Sequence, residues 1–411
     1  MVAIAVAVSL PAVARAASEG ERADAALSAA ATNRILGKVL PVAYDLAAAA
    51  TSNPAPTTPS PDAGPAAPAS VTVWLVDARY CGVAEGGRGR MVGVVRSTEA
   101  RLASSALDGA ATCAAKLDDL LKRDAIAAAG DAAVVSLLLA PSEQGGLRIS
   151  IGALAAGPGV APVVAAALAH ARTTNETIRV IDTTARVLTF PGLPPQAYDV
   201  AIRFLKGDEG VALRLMPSAT PPGHAPPTAA PPEALAIPEG SDGALRASFA
   251  LGNRLLAQAT RDGPLTVDVQ GQAIDVTALR ADGADHRLAV RGRATPRGLG
   301  ESAHIAVEAT GADLRVAEVR AEADNEDCAA YSMMAALGCR ARNTARQAAA
   351  ATLAGELTRQ FGGQVLRTLA PIPPAALTLG PRRLQARLRA TRLSASGSGL
   401  TAAGTIEFDP L

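Results

Sequence analysis

Aromatic residues are nearly missing: five Phe, four Tyr and one Trp make up 2% of the 411 residues. So few rings cannot line a cation cage or a base-stacking surface. Lysine is as scarce. Only Lys38, Lys116, Lys122 and Lys206 stand beside abundant Arg, and the formal net charge is +1. The arginine bias points to a GC-rich bacterial genome rather than to a function. No basic footprint marks a nucleic-acid site, and no nucleic-acid partner is expected.

Catalytic signatures are missing too. The chain holds no GxSxG elbow, no HExxH, no P-loop and no complete GxGxxG. Of His170, His224, His286 and His304, none has a second His or Cys at ligand spacing. The glycine-rich 84–93 reads as a hairpin tip rather than a phosphate loop. The acidic clusters at 207–210 and 324–327 are too compact for a calcium loop. Neither catalytic residues, nor a metal, nor a cofactor is expected, and the chain is not read as an enzyme.

Long apolar runs are the third absence. No internal stretch reaches the eighteen or so residues of a spanning helix, so no transmembrane anchor is expected. Residues 2–10 are apolar, Pro11 follows, and Ala14-Arg15-Ala16 fits a small-x-small cleavage site. Residues 1–16 therefore read as a signal peptide, and the mature chain as periplasmic or secreted. Export makes the four cysteines disulfide partners rather than metal ligands. Three pairings are possible. The local ones, Cys81–Cys113 and Cys328–Cys339, are favoured because each staples one half of the chain.

What is there divides in two. Pro-rich stretches at 51–70 and 217–243 read as a long loop and a linker. They leave an N-terminal unit, 17–216, and a C-terminal unit, 244–411. In the second, 248–260 reads as a helix with Ser248 as N-cap. Period-two alternation follows at Leu265/Val267/Val269, Ile274/Val276, Leu288/Val290, Ile305/Val307 and Leu314/Val316, an antiparallel meander. A helix over 344–369 then carries Leu353, Leu357, Phe361, Val365 and Leu369 on one stripe, with Asn343 as N-cap and a bend at Gly362-Gly363. Three strand-like runs close the chain. The N-terminal unit repeats the order less cleanly. Helices are expected at 21–50, kinked at Pro41, at 98–122 and at 160–172. Strands are expected at 71–80, 91–97, 132–140 and 147–152. The fold expected is α+β: long amphipathic helices on highly curved antiparallel sheets, in two related units.

An Ala-rich helix on a curved sheet either closes on a dry core or leaves a groove for an apolar ligand. The candidate groove residues are Leu255, Leu256, Leu353, Leu357, Phe361 and Val365. The segment 326–343 gathers Tyr331, Met333 and Met334 between Cys328 and Cys339. It reads as a stapled end-cap plugging the sheet, with Met333 and Met334 at the groove's mouth and Gly338 as a C-cap.

The order "ASFALGNRLLAQA", strand meander, helix 344–369 and closing "GLTAAGTIEFDP" resembles the tubular lipid-binding superfamily. That resemblance implies a long helix wrapped in a curved sheet whose interior holds acyl chains. It implies a lipid or fatty-acyl ligand without covalent catalysis, and two such units in one chain. A structural or interaction module of the cell envelope, with a protein partner and a filled interior, is the other reading.

Overall fold

The structure is a computed structural model, describing residues 21–47, 70–142, 146–175, 179–182, 186–188, 196–205, 210–217, 235–261, 263–269, 271–297, 301–366, 375–379 and 382–410. The expected signal segment 1–16, nearly all of loop 51–70, and linker residues 218–234 with His224 lie outside these.

The chain opens with β1 (Ala23–Leu27) and α1 (Ala29–Val39). Strands β2 (Val42–Ala47), β3 (Ser70–Val83) and β4 (Gly89–Arg96) follow, then short helices α2 (Leu117–Leu121) and α3 (Asp124–Ala127). Next come β5 (Ala133–Ser142), β6 (Gly146–Ala156), α4 (Pro162–Thr173), β7 (Arg179–Asp182), β8 (Arg186–Leu188), β9 (Gln196–Phe204) and β10 (Val211–Pro217). The second half runs β11 (Gly243–Ala247), α5 (Phe249–Ala259), β12 (Leu265–Val269), β13 (Gln272–Ala284), β14 (Arg287–Pro296), β15 (Ala303–Thr310) and β16 (Arg315–Ala323). It ends with α6 (Met333–Phe361), β17 (Ala375–Leu379), β18 (Arg382–Ser396) and β19 (Gly399–Pro410).

These strands form three antiparallel sheets: β2 to β7 in order, β12 to β16 in order, and an eight-stranded sheet ordered β17-β18-β19-β11-β1-β10-β9-β8. The eight-stranded sheet takes strands from both sides of the Pro-rich linker. Reading outward from the central β1–β11 pair, the order is the same in both directions. The pair is centred on Ala25 opposite Leu245. The Ser28 amide donates to the Asp242 carbonyl (2.8 Å) at one end, and the Ser248 amide to that of Arg22 (3.0 Å) at the other. Both serines then cap the helix that follows. Ser28 Oγ accepts from Ala31 N (3.1 Å) and Ser248 Oγ from Leu251 N (3.2 Å), each satisfying one of the free amides of a first turn.

Two glycines make these crossings possible. A Cβ on Gly210 would sit 2.2 Å from the Leu27 carbonyl oxygen, and one on Gly399 2.2 Å from that of Ala247. Both also hold positive φ, +75° and +153°, a region that costs other residues.

One buried ion cluster crosses the seam. Asp24 on β1 accepts from Arg214 Nε on β10 (2.7 Å) and Arg246 on β11 (3.2 Å), with Arg22 at 3.6 Å. Asp24 is 1% exposed and Arg214 4%.

The α+β expectation is corrected. The described residues are predominantly β, and no long helix among them is amphipathic. Among the described residues, five of the six helices named above span 12 residues or fewer. The sixth, α6, has 29 residues but buries only Cys339, Ala350 and Leu357. Composition explains the misreading. Alanine is the best helix former, yet small side chains also let strands and crossings pack closely. So of 21–50, expected as one kinked helix, residues 21–47 hold strand, helix and strand, with Pro41 between α1 and β2, and 48–50 lie outside the described residues. The helix expected over 98–122 is an irregular segment with a 3₁₀ turn at Ala110–Cys113, followed by α2. The helix expected over 344–369 starts eleven residues earlier, at Met333 after Ser332, and ends at Phe361 before Gly362-Gly363; residues 367–369 lie outside those described. Asn343 is inside it, so it caps nothing. Its side chain instead closes on the backbone of Glu326, accepting from N (3.0 Å) and donating to O (2.9 Å).

Candidate functional site

The apolar interior of the C-terminal half is the candidate site. On β13, Ile274, Val276, Leu279 and Ala281 point inward. Val276 and Leu279 are three apart, and plain alternation would put them on opposite faces. A bulge between Thr277 and Arg280, with Ala278 at φ 51°, restores both to the inside. Leu288, Val290 and Ala294 on β14, and Val316 and Val319 on β16, complete the inner face. The outer face is charged: Arg287 pairs with Glu308 (2.6 Å), Arg291 with Asp282 (2.5 Å), Arg297 with Asp275 (3.0 Å) and Arg320 with Glu318 (2.6 Å). Hydrogen bonds from Arg297 and Thr266 hold the Asp275 carboxyl below the usual carboxylate range, and Arg320 does the same for Glu318.

Helix α6 closes this sheet. It packs along β16 and also touches β12, the opposite edge strand, so the sheet curls beneath it. Its end is tied down by backbone: Val316 N donates to Gln364 O (3.0 Å), Gly363 N to Val316 O (2.8 Å) and Leu366 N to Leu314 O (3.1 Å). From the far side, β18 and β19 bring Leu388, Leu393, Ala395, Leu400 and Ala402 against β13 and β14.

The expected groove residues divide here. Leu256 and Leu357 are buried in this cluster, and Leu353 and Phe361 are half-buried against it. Leu255 is buried outside it. Val365 lies in an isolated bridge to Arg315. Met333 and Met334 neither plug the sheet nor line a mouth. They are 81% and 78% exposed, and Tyr331 48%. Gly338 lies within α6 and caps nothing. The plug reading fails because the helix already starts at Met333, which turns Met333 and Met334 outward instead of leaving them in a separate turn against the sheet. Sequence reasoning did not assign the half-covered residues Phe249, Ile305, Val307, Leu265, Val267 and Leu388 to a rim. Their alternation was the available signal.

Both disulfides join near neighbours: Cys81–Cys113 and Cys328–Cys339. The first fastens the segment before α2 to β3. The second fastens a 3₁₀ turn (Cys328–Ala330) to the second turn of α6.

Among the described residues, one polar cluster gathers on Asp324. Ser302, His304 and Arg293 all converge on Asp324, with His304 Nε2 at 2.8 Å. The serine bonds the carboxylate and not the imidazole, which is the wrong order for a nucleophile and its base. Burial pushes the Asp77 carboxyl up, against the opposing pull of the Ser105 hydroxyl and the Leu107 and Ala106 amides. Those donors show its task, which is to hold the 105–107 loop. Burial likewise pushes the Tyr80 hydroxyl up to about 12. That hydroxyl donates to the Gly210 carbonyl (2.8 Å) beneath Phe204. Among the described residues, no three His, Cys, Asp or Glu side chains converge to hold a metal, and no helix is long and apolar enough to cross a membrane.

No protein-family model matches the chain, and no curated protein matches it by sequence. Among the solved structures that match, these align along nearly the whole length. P47 of Clostridium botulinum E1 aligns at 8% identity and a TM-score of 0.32, covering 94% of this chain and 99% of its own. A lipopolysaccharide binding protein aligns at 9% identity and a TM-score of 0.27, covering 95% and 99%. At these scores neither likeness carries an argument about the fold or the site.

Proposed function

We propose that this protein is a non-catalytic binder of lipid or another hydrophobic ligand, held in the interior beneath α6. One observation carries the reading. Leu353 and Phe361 on α6, Leu265 and Val267 on β12, and Ile305 and Val307 on β15 are apolar, inward-facing and only half-covered. A helix laid across the edges of a curled sheet, with an unsealed apolar rim, suits an acyl chain. The two disulfides support export to an oxidising compartment. Residues 17–216 and 244–411 are read as an N-terminal and a C-terminal unit joined through the central sheet.

A second reading, an envelope interaction module with a filled core, is favoured by Leu288, Leu314 and Leu366, which are 2%, 0% and 0% exposed in the same cluster. The experiment that separates them uses Phe361→Trp in a Trp74→Phe background, leaving one indole at the rim. Adding fatty acid is expected to blue-shift and saturate its emission. No change at saturating lipid rejects the binding reading in favour of the filled core.

A further inference from the structure

We propose that the stapled start of α6 is a docking tip that enters the surface of a lipid bilayer. Five large hydrophobic side chains are exposed among the described residues. Four of them, Tyr331, Met333, Met334 and Leu337, fall within seven residues, at 48%, 81%, 78% and 55% exposure. Single exposed apolar residues are ordinary, whereas a contiguous group marks a contact surface.

The tip is rigid at its base. Cys328–Cys339 ties the turn to the helix. Asn343 locks the backbone of Glu326, and the Glu326 carboxylate bridges Arg342 (3.2 Å) and Arg346 (2.8 Å). Those two arginines also hold the Glu326 carboxyl below its usual range. The apolar side chains are therefore presented in advance, and little ordering remains to oppose binding.

Three features select a bilayer over a protein. Four side chains fall far short of the roughly 20–30 residues a side that a specific protein pair uses. The helix face behind them continues as Ala341, Ala345 and Ala348, which add no protruding side chain to widen the contact. Charge around the tip is balanced, with Glu301, Glu326 and Asp327 against Arg340, Arg342 and Arg346, so no acidic or basic partner is singled out. A bilayer needs neither breadth nor opposite charge. Methionine adapts to disordered acyl chains, Tyr331 suits the headgroup level, and Arg340, one turn behind Leu337, can extend its charged end to the headgroups. The insertion is apolar, as in interfacial helices with little electrostatic attraction. Docking stands apart from the interior site, because a protein with an empty interior would still bind vesicles.

The test is flotation of the full-length protein with phosphatidylcholine vesicles, comparing wild type with Met333→Ser/Met334→Ser. Both side chains are exposed, so the variant is expected to keep the wild-type melting temperature. Wild type should float, the variant should lose about tenfold or more in partition, and raising the salt should change wild-type binding by less than about threefold. Failure of wild type to float, equal flotation of the variant, or loss of flotation in salt would each overturn the proposal. So would a concentration-dependent dimer abolished by the same substitutions, which would give the tip to a second copy of the chain.

Discussion

The Asp24 cluster offers the sharpest test of how the halves are joined. Asp24→Asn keeps the shape and removes the charge. Arg214, 4% exposed, would then face a neutral amide where a carboxylate stood at 2.7 Å. Removing one member of a buried pair costs about 3–5 kcal/mol, because the other charge stays desolvated without it. Against a typical stability of about 5–15 kcal/mol, that is a large fraction. Replacing both members by uncharged residues is often near neutral. Asp24→Asn/Arg214→Met should therefore recover most of the loss, though Arg246 and Arg22 would still lose their contact with Asp24. Urea unfolding measures both through the midpoint at constant slope. Amide exchange should also rise first in β1 and β11, where the cluster sits. A loss below about 1 kcal/mol for the single variant, or a double variant no better than the single one, would show that the seam does not depend on this charge.

Other expectations follow from the same packing. The Tyr80 hydroxyl is held above its ordinary value, so the unfolded chain ionises first as pH rises. Stability present below about pH 10 should be lost towards about 12. Tyr80→Phe should flatten that alkaline flank, and an unchanged flank would refute the cause. At neutral pH the same variant should cost only about 0.5–1.5 kcal/mol, since the Gly210 carbonyl keeps its Leu205 amide (2.9 Å). Replacing Cys328 and Cys339 by Ser opens a short loop and should cost about 3 kcal/mol. Exchange should rise over 326–343 while β12 to β16 stay protected. Collapse of the whole sheet would contradict the staple's local role.

Much of the C-terminal half was legible in the sequence, because alternation and turn chemistry are local. Leu265/Val267, Ile274/Val276 and Leu288/Val290 lie on the strands expected, and Ser248 caps the helix expected. The central sheet was not legible, because its pairings are remote. Arg214 and Asp24 are 190 residues apart, and no local pattern in ADAAL announces a strand between two others. The stripe of α6 revealed Leu353, Leu357 and Phe361, which the fold does gather with Leu256. Its beginning misled, since Met333 and Met334 read as a plug at the groove's mouth by chemistry and stand in solvent by geometry. Asn343 misled in the same way: a good cap by type, it satisfies the Glu326 backbone from mid-helix.

Native mass spectrometry of the protein purified from its own host without detergent tests the interior site most directly. If α6 covers a hydrophobic-ligand site, a bound acyl lipid should travel with the intact chain and be released on denaturation. Leu353→Trp together with Phe361→Trp, which would fill the rim, should lower its occupancy. Protein that is fully folded and carries no lipid, with an interior that takes up none when lipid is supplied, would contradict the reading and leave α6 as the lid of a filled core.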